Sequence, residues 1–496
     1  MAQEIPSCVI VGGGPAGAAA GRLLASWGHR VTLFDKASDP GRALAESIPP
    51  STQKLLHQIG VADAVARAGF LRNNGNTVWW ASRDRRLESF ADTDSDGGYQ
   101  VFRPAFDRVL LAAAAEAGVD VRRAVGVRRI DLQQEEARIE YTDTQPQVVE
   151  CRYVLDCSGR AGLIARRHRV AEPGFRTCAL VGVWRRDQDA SDWGLPDASH
   201  TAVETFADGW AWSVPTSGSV RHMGVMVGRA LDAADSERTL AAAYRQGLAK
   251  TSELQRLARG AHLERLWACD ASLYWSSAFA GPNHLLVGDA GSFIDPLSSY
   301  GVKKALASAW MAAIAVHTAL THPDRAAIAF DFFAAWERNV YATHRRQTQE
   351  FARAAAAQHD HPFWRDRATA SPDDDLEAAA GDDLPGASLT QDPAVQRAFA
   401  TVKAAPQLNL VFSASAPIEQ RPVVRGNEIV LEPALTGGLR FVANVDLLKL
   451  AQMAPHHTQV PDLFEAYCRT CSPVPLPSVV GGLSLLVARG ILHERV

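Results

Sequence analysis

The stretch Val9-Ile10-Val11-Gly12-Gly13-Gly14-Pro15-Ala16-Gly17 decides the fold. A β-branched run that suits a buried strand breaks into glycines and then opens a helix through Ala18 to Leu24. Gly12 permits the tight turn, Gly14 lets the backbone approach a pyrophosphate, and Gly17 lets helix and strand pack closely. With Pro15 and Ala16, these residues set a helix N-terminus against phosphate charge. The next apolar run, Val31-Thr32-Leu33-Phe34, ends in Asp35, with Lys36 beside it. Asp35 lies 18 residues beyond Gly17, near the ~20 at which a carboxylate meets the adenosine ribose. Strand, glycines, helix, strand and acid in that order specify a dinucleotide-binding crossover.

The totals describe an ordinary globular chain. Its 496 residues allow two or three domains, and 47% hydrophobic content with a net charge of -4 favours neither nucleic acid nor a membrane surface. Of 51 basic residues only seven are lysine. The lead Met1 to Ser7 lacks the pattern of a secretion signal, no apolar run is long enough to span a bilayer, and the seven cysteines are scattered. A cytoplasmic protein is expected. Cys468 and Cys471 form the only close pair, and His359, His361, His456 and His457 lack ligand spacing, so no metal site is expected.

Strands and helices alternate from residue 5 to about 170, as in a parallel sheet. From 176 to 275 the runs 178–184, 201–206, 210–214 and 222–227 suggest an antiparallel sheet that roofs a cavity. Leu285-Leu286-Val287-Gly288-Asp289 returns to a buried strand, so the first domain is discontinuous. Residues 301–357 read as two long alanine-rich helices. The expected division is 1–175 plus 276–360 for the cofactor, 176–275 for the substrate, a linker at 371–392, and a small docking domain at 393–496. In that last domain, residues 483–492 resemble the final helix and turn of a winged-helix unit.

Two more segments turn dinucleotide into FAD. Tyr153-Val-Leu-Asp156-Cys-Ser-Gly159 ends a strand in an acid and a glycine turn. Gly288-Asp289-Ala290-Gly291, followed by Asp295-Pro296 and Gly301-Val302, can direct a carboxylate at ribityl hydroxyls and a helix N-terminus at the flavin pyrimidine edge. Phe102-Arg103-Pro104 precedes a helix and offers an arginine to the cofactor.

At these residues, and at Glu46-Ser47 with Pro49-Pro50, the chain resembles the FAD-dependent monooxygenases and their relatives, the flavin-dependent halogenases, from about residue 6 to 350. The resemblance implies an α/β fold. It comprises a Rossmann-like FAD domain of the glutathione-reductase and p-hydroxybenzoate-hydroxylase type, an antiparallel β substrate domain, and a small, mainly helical C-terminal domain. It places Gly12, Gly14, Pro15, Ala16 and Gly17 at the pyrophosphate and Asp35 at the ribose. Arg103 and Asp289 fall along the phosphate–ribityl region and Gly301 and Val302 beside the isoalloxazine, with Lys36, Ser47 and Pro296 as further cofactor-binding residues. Glu46 would orient the flavin or a neighbouring arginine.

Trp210-Ala-Trp212-Ser-Val-Pro215 resembles the WxWxIP signature of the halogenases. Alternation puts both indoles on one face of a strand, forming a stiff apolar wall. The family's lysine that captures hypohalous acid is missing: the segment from Gly69 to Trp80 contains none, and Lys54 belongs to the preceding helix. Arg72 remains protonated and does not replace it. Oxygen transfer from a flavin hydroperoxide needs no such lysine. The run Asn73-Asn-Gly-Asn-Thr-Val-Trp-Trp80 further resembles the hydroxylases that mature peptidyl tryptophan in tryptophylquinone biogenesis. The expectation is therefore a monooxygenase acting on an aromatic ring, a tryptophan indole free or in a peptide. Asn73, Trp210 and Trp212 are the cavity candidates. No second glycine fingerprint follows a strand, so NAD(P)H visits the flavin directly or a partner reductase supplies electrons. The alternatives are a halogenase with a substitute for the lysine, a flavin reductase of isoprenoid double bonds, and a flavin-loaded maturation chaperone that docks a client without oxidising it.

Overall fold

The computed structural model describes residues 7–36, 43–90, 97–133, 136–186, 193–228, 237–371, 393–404, 410–412, 418–435, 440–471 and 473–494. Apart from Ser371, the segment read as a linker lies outside them. The chain divides into two compact units, Met1–Asp373 and Asp374–Val496.

The opening run forms the strand Cys8–Val11, buried along its whole length. It pairs in parallel with Val31–Asp35 on one side and Tyr153–Asp156 on the other. His284–Leu286 and Asp120–Arg123 extend the parallel sheet outward, and Ala280–Gly281 adds an antiparallel edge. The crossover helix Pro15–Ser26 begins with proline at its first position, where the missing N–H costs nothing. Its buried face is Ala16, Gly17, Ala18, Ala20 and Leu24, small enough for close packing. The two long helices are Gly301–Thr321 and Ala326–Ala356. The first of them packs against Pro15–Ser26 and carries unexposed alanines at 309, 312, 313 and 315. Among the described residues, no helix is long and apolar enough to cross a membrane.

Above this floor lies a seven-stranded sheet in the order His262–Asp270, Cys178–Arg185, Val220–Val227, Gly209–Pro215, Thr201–Phe206, Gly75–Trp79, Arg86–Ser89. Its last two strands precede residue 176, so the sheet reaches outside the span expected for a substrate domain. The join is parallel, Thr201 opposite Asn76 and Glu204 opposite Trp79. Asn73 makes the turn into that strand: its amide donates to Ser47 Oγ at 2.8 Å and its carbonyl accepts the Gly75 N–H at 3.1 Å. Trp80 anchors the far end by donating to the Phe351 carbonyl at 3.1 Å. Buried Glu204 accepts the N–H groups of Ser252, Glu253 and Leu254, capping the helix Glu253–Leu257.

The second unit is mainly helical, with Pro393–Ala404, Leu447–Met453, Val460–Thr470 and Leu476–Ala488. A hairpin of Ile418–Arg425 and Glu428–Leu435 joins them, and Leu492–Glu494 pairs with Leu410–Phe412. Leu447, Leu450, Leu483 and Leu486 build its core.

Candidate active site

The glycine turn separates structural from ligand-facing roles. Gly12 sits at φ +112, and a Cβ there would lie 2.2 Å from the Cys157 carbonyl oxygen. A Cβ on Gly17 would lie 1.9 Å from the Gly12 oxygen. Both positions need glycine for the fold itself. Gly14 differs: its Cβ would meet only Arg103, at 3.7 Å, in ordinary contact. It faces a cavity at the helix N-terminus, so the protein leaves room there for something else. Asp35 accepts the Gly13 N–H at 3.1 Å. Burial raises its pKa and that hydrogen bond opposes the rise.

Arg103 lies across from the turn. Its guanidinium donates to Glu46 at 2.6 Å and to both oxygens of Asp107, at 3.0 and 3.2 Å. Burial works against its charge, and the two carboxylates outweigh burial and raise its pKa. Glu46 thus orients an arginine already committed to the cavity wall.

Asp289 follows the strand His284–Leu286 and faces the same cavity. Burial raises its pKa and Lys304 opposes the rise. The Lys304 side chain has no exposure and lies 4.0 Å from the Asp289 carboxylate. Its Nζ donates to the carbonyls of Gly288 at 3.0 Å and Ser292 at 2.6 Å. Beneath them Ser308 Oγ accepts the Gly288 N–H at 2.8 Å and donates to Glu337. Burial raises the Glu337 pKa, and its second carboxyl oxygen has no partner. The Asp289 turn is therefore held from below by two helices.

Both expected indoles, Trp210 and Trp212, line the cavity, and Trp267 from the edge strand His262–Asp270, three places along the sheet, joins them. Trp212 lies over Gly224, its register partner, where a Cβ would sit 2.2 Å from the indole. Trp80 packs edge-on against Trp210 with ring centroids 6.4 Å apart, and Trp364 stands behind it at 5.5 Å. His222 lies opposite Val214 on this face, between Phe102 and Trp267. Its Nδ1 has no partner and burial pushes its pKa down to about 4.

One cavity of about 610 Å³ connects these parts. Gly14, Pro15, Ala16, Glu46, Ser47, Arg103 and Asp289 form its floor, with Pro296, Gly301 and Val302 further along. Trp210, Trp212, Trp267 and Met226 form its roof. Gly12 and Gly17 shape the turn from inside the fold, and Asp35 lies behind Gly13. Lys36 is exposed at the end of its strand. Asn73 requires a correction. It is completely buried and spends its amide on Ser47 and Gly75, so it shapes the roof and supports the Ser47 strand without joining the lining. Sequence reading missed Trp267 and the lining arginines Arg160 and Arg169. It also passed over Lys304, whose only signal was a charge on a helix face that is otherwise alanine. His359 and His361 serve the fold, bonding Thr205 Oγ1 at 3.2 Å and the Phe363 N–H at 3.1 Å. Cys468 and Cys471 are free thiols.

The family model described as "FAD binding domain" matches residues 5–323, more than half of the chain. The chain belongs to this FAD-binding family. It is a flavoprotein of the superfamily that holds flavin-dependent monooxygenases and halogenases, an oxidoreductase superfamily. A tryptophan 2-halogenase of Chondromyces crocatus is 31% identical over 344 residues, covering 67% of this chain and 65% of that relative. The flavin-dependent halogenase armH2 of Armillaria mellea is 28% identical over 349 residues, covering 64% and 67%. The chain thus spans about two thirds of the length of these curated relatives. Among solved structures, the flavin-dependent halogenase CmlS superposes with a TM-score of 0.78 at 23% identity, over 99% of this chain and 96% of that one. The peptidyl tryptophan dihydroxylase QhpG superposes with a TM-score of 0.69 at 21% identity, over 98% and 100%. These two likenesses are of fold. The cavity fits FAD: an open glycine at a helix N-terminus suits a pyrophosphate, and a paired arginine and the Asp289 carboxylate in the same lining would suit its phosphates and ribityl hydroxyls.

Proposed function

We propose that the flavoprotein is a monooxygenase that hydroxylates an aromatic ring, with a tryptophan indole, free or in a peptide, as its substrate. When bound, reduced FAD would supply the two electrons of the reaction, in which one atom of dioxygen becomes the ring hydroxyl and the other leaves, with two protons, as water. Gly14 and Ala16 with Arg103 hold the phosphates, Asp289 the ribityl chain, and Gly301-Val302 the pyrimidine edge. Asp35 remains the ribose candidate. Trp210, Trp212 and Trp267 keep the chamber dry and hold a flat apolar substrate against the cofactor. Electrons come from NAD(P)H directly or from a partner reductase.

The observation that carries this reading is the chemistry of the lining. Among the described residues, the cavity wall holds three tryptophans and no lysine. The one buried lysine nearby, Lys304, already donates to two carbonyls. Halogen transfer through a lysine therefore has no residue to use, whereas oxygen transfer asks only for a dry, shaped pocket. The second reading, a halogenase with a different intermediary, is favoured by the names of the curated relatives, among them a tryptophan 2-halogenase. Mass spectrometry of tryptophan and of a tryptophan-containing peptide after aerobic turnover with reduced FAD decides between them. A hydroxylated product that forms equally with and without chloride or bromide supports the proposal. A halogenated product that requires the halide overturns it.

A further inference from the structure

Lys304 is the chemical outlier of the floor. It lies in the first turn of Gly301–Thr321, while Gly301, Val302 and Ala305 of the same turn line the cavity. Its side chain is directed away from the cavity, unexposed, beneath the loop that presents Asp289. Bonds to the Gly288 and Ser292 carbonyls fix the nitrogen from both ends of that loop. An unexposed charge escapes salt and solvent screening, so its field reaches the cavity from behind the wall. The helix N-terminus on the same turn adds positive potential of the same sign. Asp289 opposes it from the lining side at 4.0 Å, and the buried Glu337 carboxyl opposes it from the side away from the cavity, where burial favours the neutral acid.

We propose that Lys304 is a positioning residue that sets the reduction potential of the bound flavin, with Asp289 as its moderating counter-charge. Reduction of FAD by two electrons and one proton, delivered in the cell by a nicotinamide or a reduced flavin, leaves the ring system one unit more negative. A fixed cation under that end of the cavity favours the reduced form. A nearby carboxylate reduces the preference. The inference rests on FAD binding and not on the hydroxylation reading.

The test is the midpoint potential of bound FAD, measured by dye equilibration during slow reduction. In Lys304→Gln, which keeps a hydrogen-bond donor and removes the charge, the reduced-to-oxidised affinity ratio should fall at least tenfold, a shift of about 30 mV to more negative potential for a two-electron couple. In Asp289→Asn the shift should have the opposite sign, because the lysine is uncovered. The double variant should lie between the two singles. A purely structural role predicts weaker binding of both oxidation states and no change in potential. Equal potentials in wild type and Lys304→Gln overturn the proposal. If Lys304→Gln does not fold, an unchanged or more negative potential in Asp289→Asn does so. Where a variant releases FAD during reduction, separate titrations with oxidised and reduced FAD give the same affinity ratio, and a ratio equal to that of wild type would also overturn it. The hydroxylation reading is untouched by any of these outcomes, since it is judged on product.

Discussion

The floor and the roof of the cavity are built by opposite means. The floor concentrates its chemistry in short segments: the helix starts at 14–16 and 103, the strand residues 46–47 and the loop from 289 to the helix start at 301–302 all line the cavity. The roof presents mainly indole and aliphatic surface, with Thr201 and Asp270 among its few polar groups. It is assembled from strands as far apart in sequence as Gly75–Trp79 and His262–Asp270, and it works by shape. On the proposed reading, backbone geometry and fixed charge hold the cofactor, while side-chain volume selects what meets it. Substitutions in the two regions should fail in different ways.

The largest contrast is expected within the glycine turn itself. Gly17→Ala forces a methyl against the Gly12 carbonyl, at an unrelaxed 1.9 Å. It should yield little folded protein, measured by soluble expression and thermal unfolding. Gly14→Val should fold with a thermal midpoint near that of wild-type apoprotein, yet bind FAD at least a hundredfold more weakly by flavin fluorescence, about 2.7 kcal/mol. Equal instability in the two variants would break the distinction between scaffold and ligand-facing glycine.

Lys304→Met comes next. It strips two buried carbonyls of their donor and leaves the part-exposed Asp289 carboxylate without its counter-charge, together a cost of about 2–5 kcal/mol. Denaturant unfolding of the apoprotein should show a loss of that order. A loss under 1 kcal/mol would mean that water or a rearranged loop replaces the amine.

Stability should also depend on pH through two buried histidines, His222 on the roof strand Val220–Val227 and His344 on the helix Ala326–Ala356. His222 and His344 are both pushed down to about 4 by burial, against about 6.5 unfolded. The unfolded chain then binds more protons between those values, so stability is fully present above about pH 6.5 and declines as pH falls towards 4. Each group contributes up to about 3 kcal/mol to that decline. His222→Leu should flatten its share of the curve in urea unfolding from pH 7 to pH 4.5. An unchanged slope would show that His222 does not remain neutral in the fold.

The smallest effect on the protein, though not on its chemistry, is expected at the wall. Trp212→Ala should retain FAD and most of its stability while diverting reducing equivalents to hydrogen peroxide. Gly224→Ala, which displaces the indole lying on it, should do the same. Peroxide yield per electron donor consumed is the readout. Coupled turnover in both variants would remove the wall from the account.

How legible each region was follows from the same contrast. The floor could be read because its determinants are local: Gly12, Gly14 and Gly17 announce a turn, and Asp289 and Gly301 follow a strand within one loop. The indole pair was readable because period-two alternation puts Trp210 and Trp212 on one face. Trp267 was not, because only strand order brings it beside them. Asn73 looked like a cavity residue because it begins a conspicuous run, and proved to be the turn that swings Gly75–Trp79 into the roof. Lys304 was invisible because a helical lysine normally reaches solvent. Only the fold shows that the Asp289 loop closes over it.

The central claim is that an atom of oxygen passes across this cavity to an aromatic ring. The most direct measurement is product mass after turnover under heavy dioxygen in ordinary water, with halide present. The account expects one heavy oxygen in the product for each hydroxyl formed. A product carrying halogen and no heavy oxygen, or hydroxyl oxygen drawn from water, would contradict it.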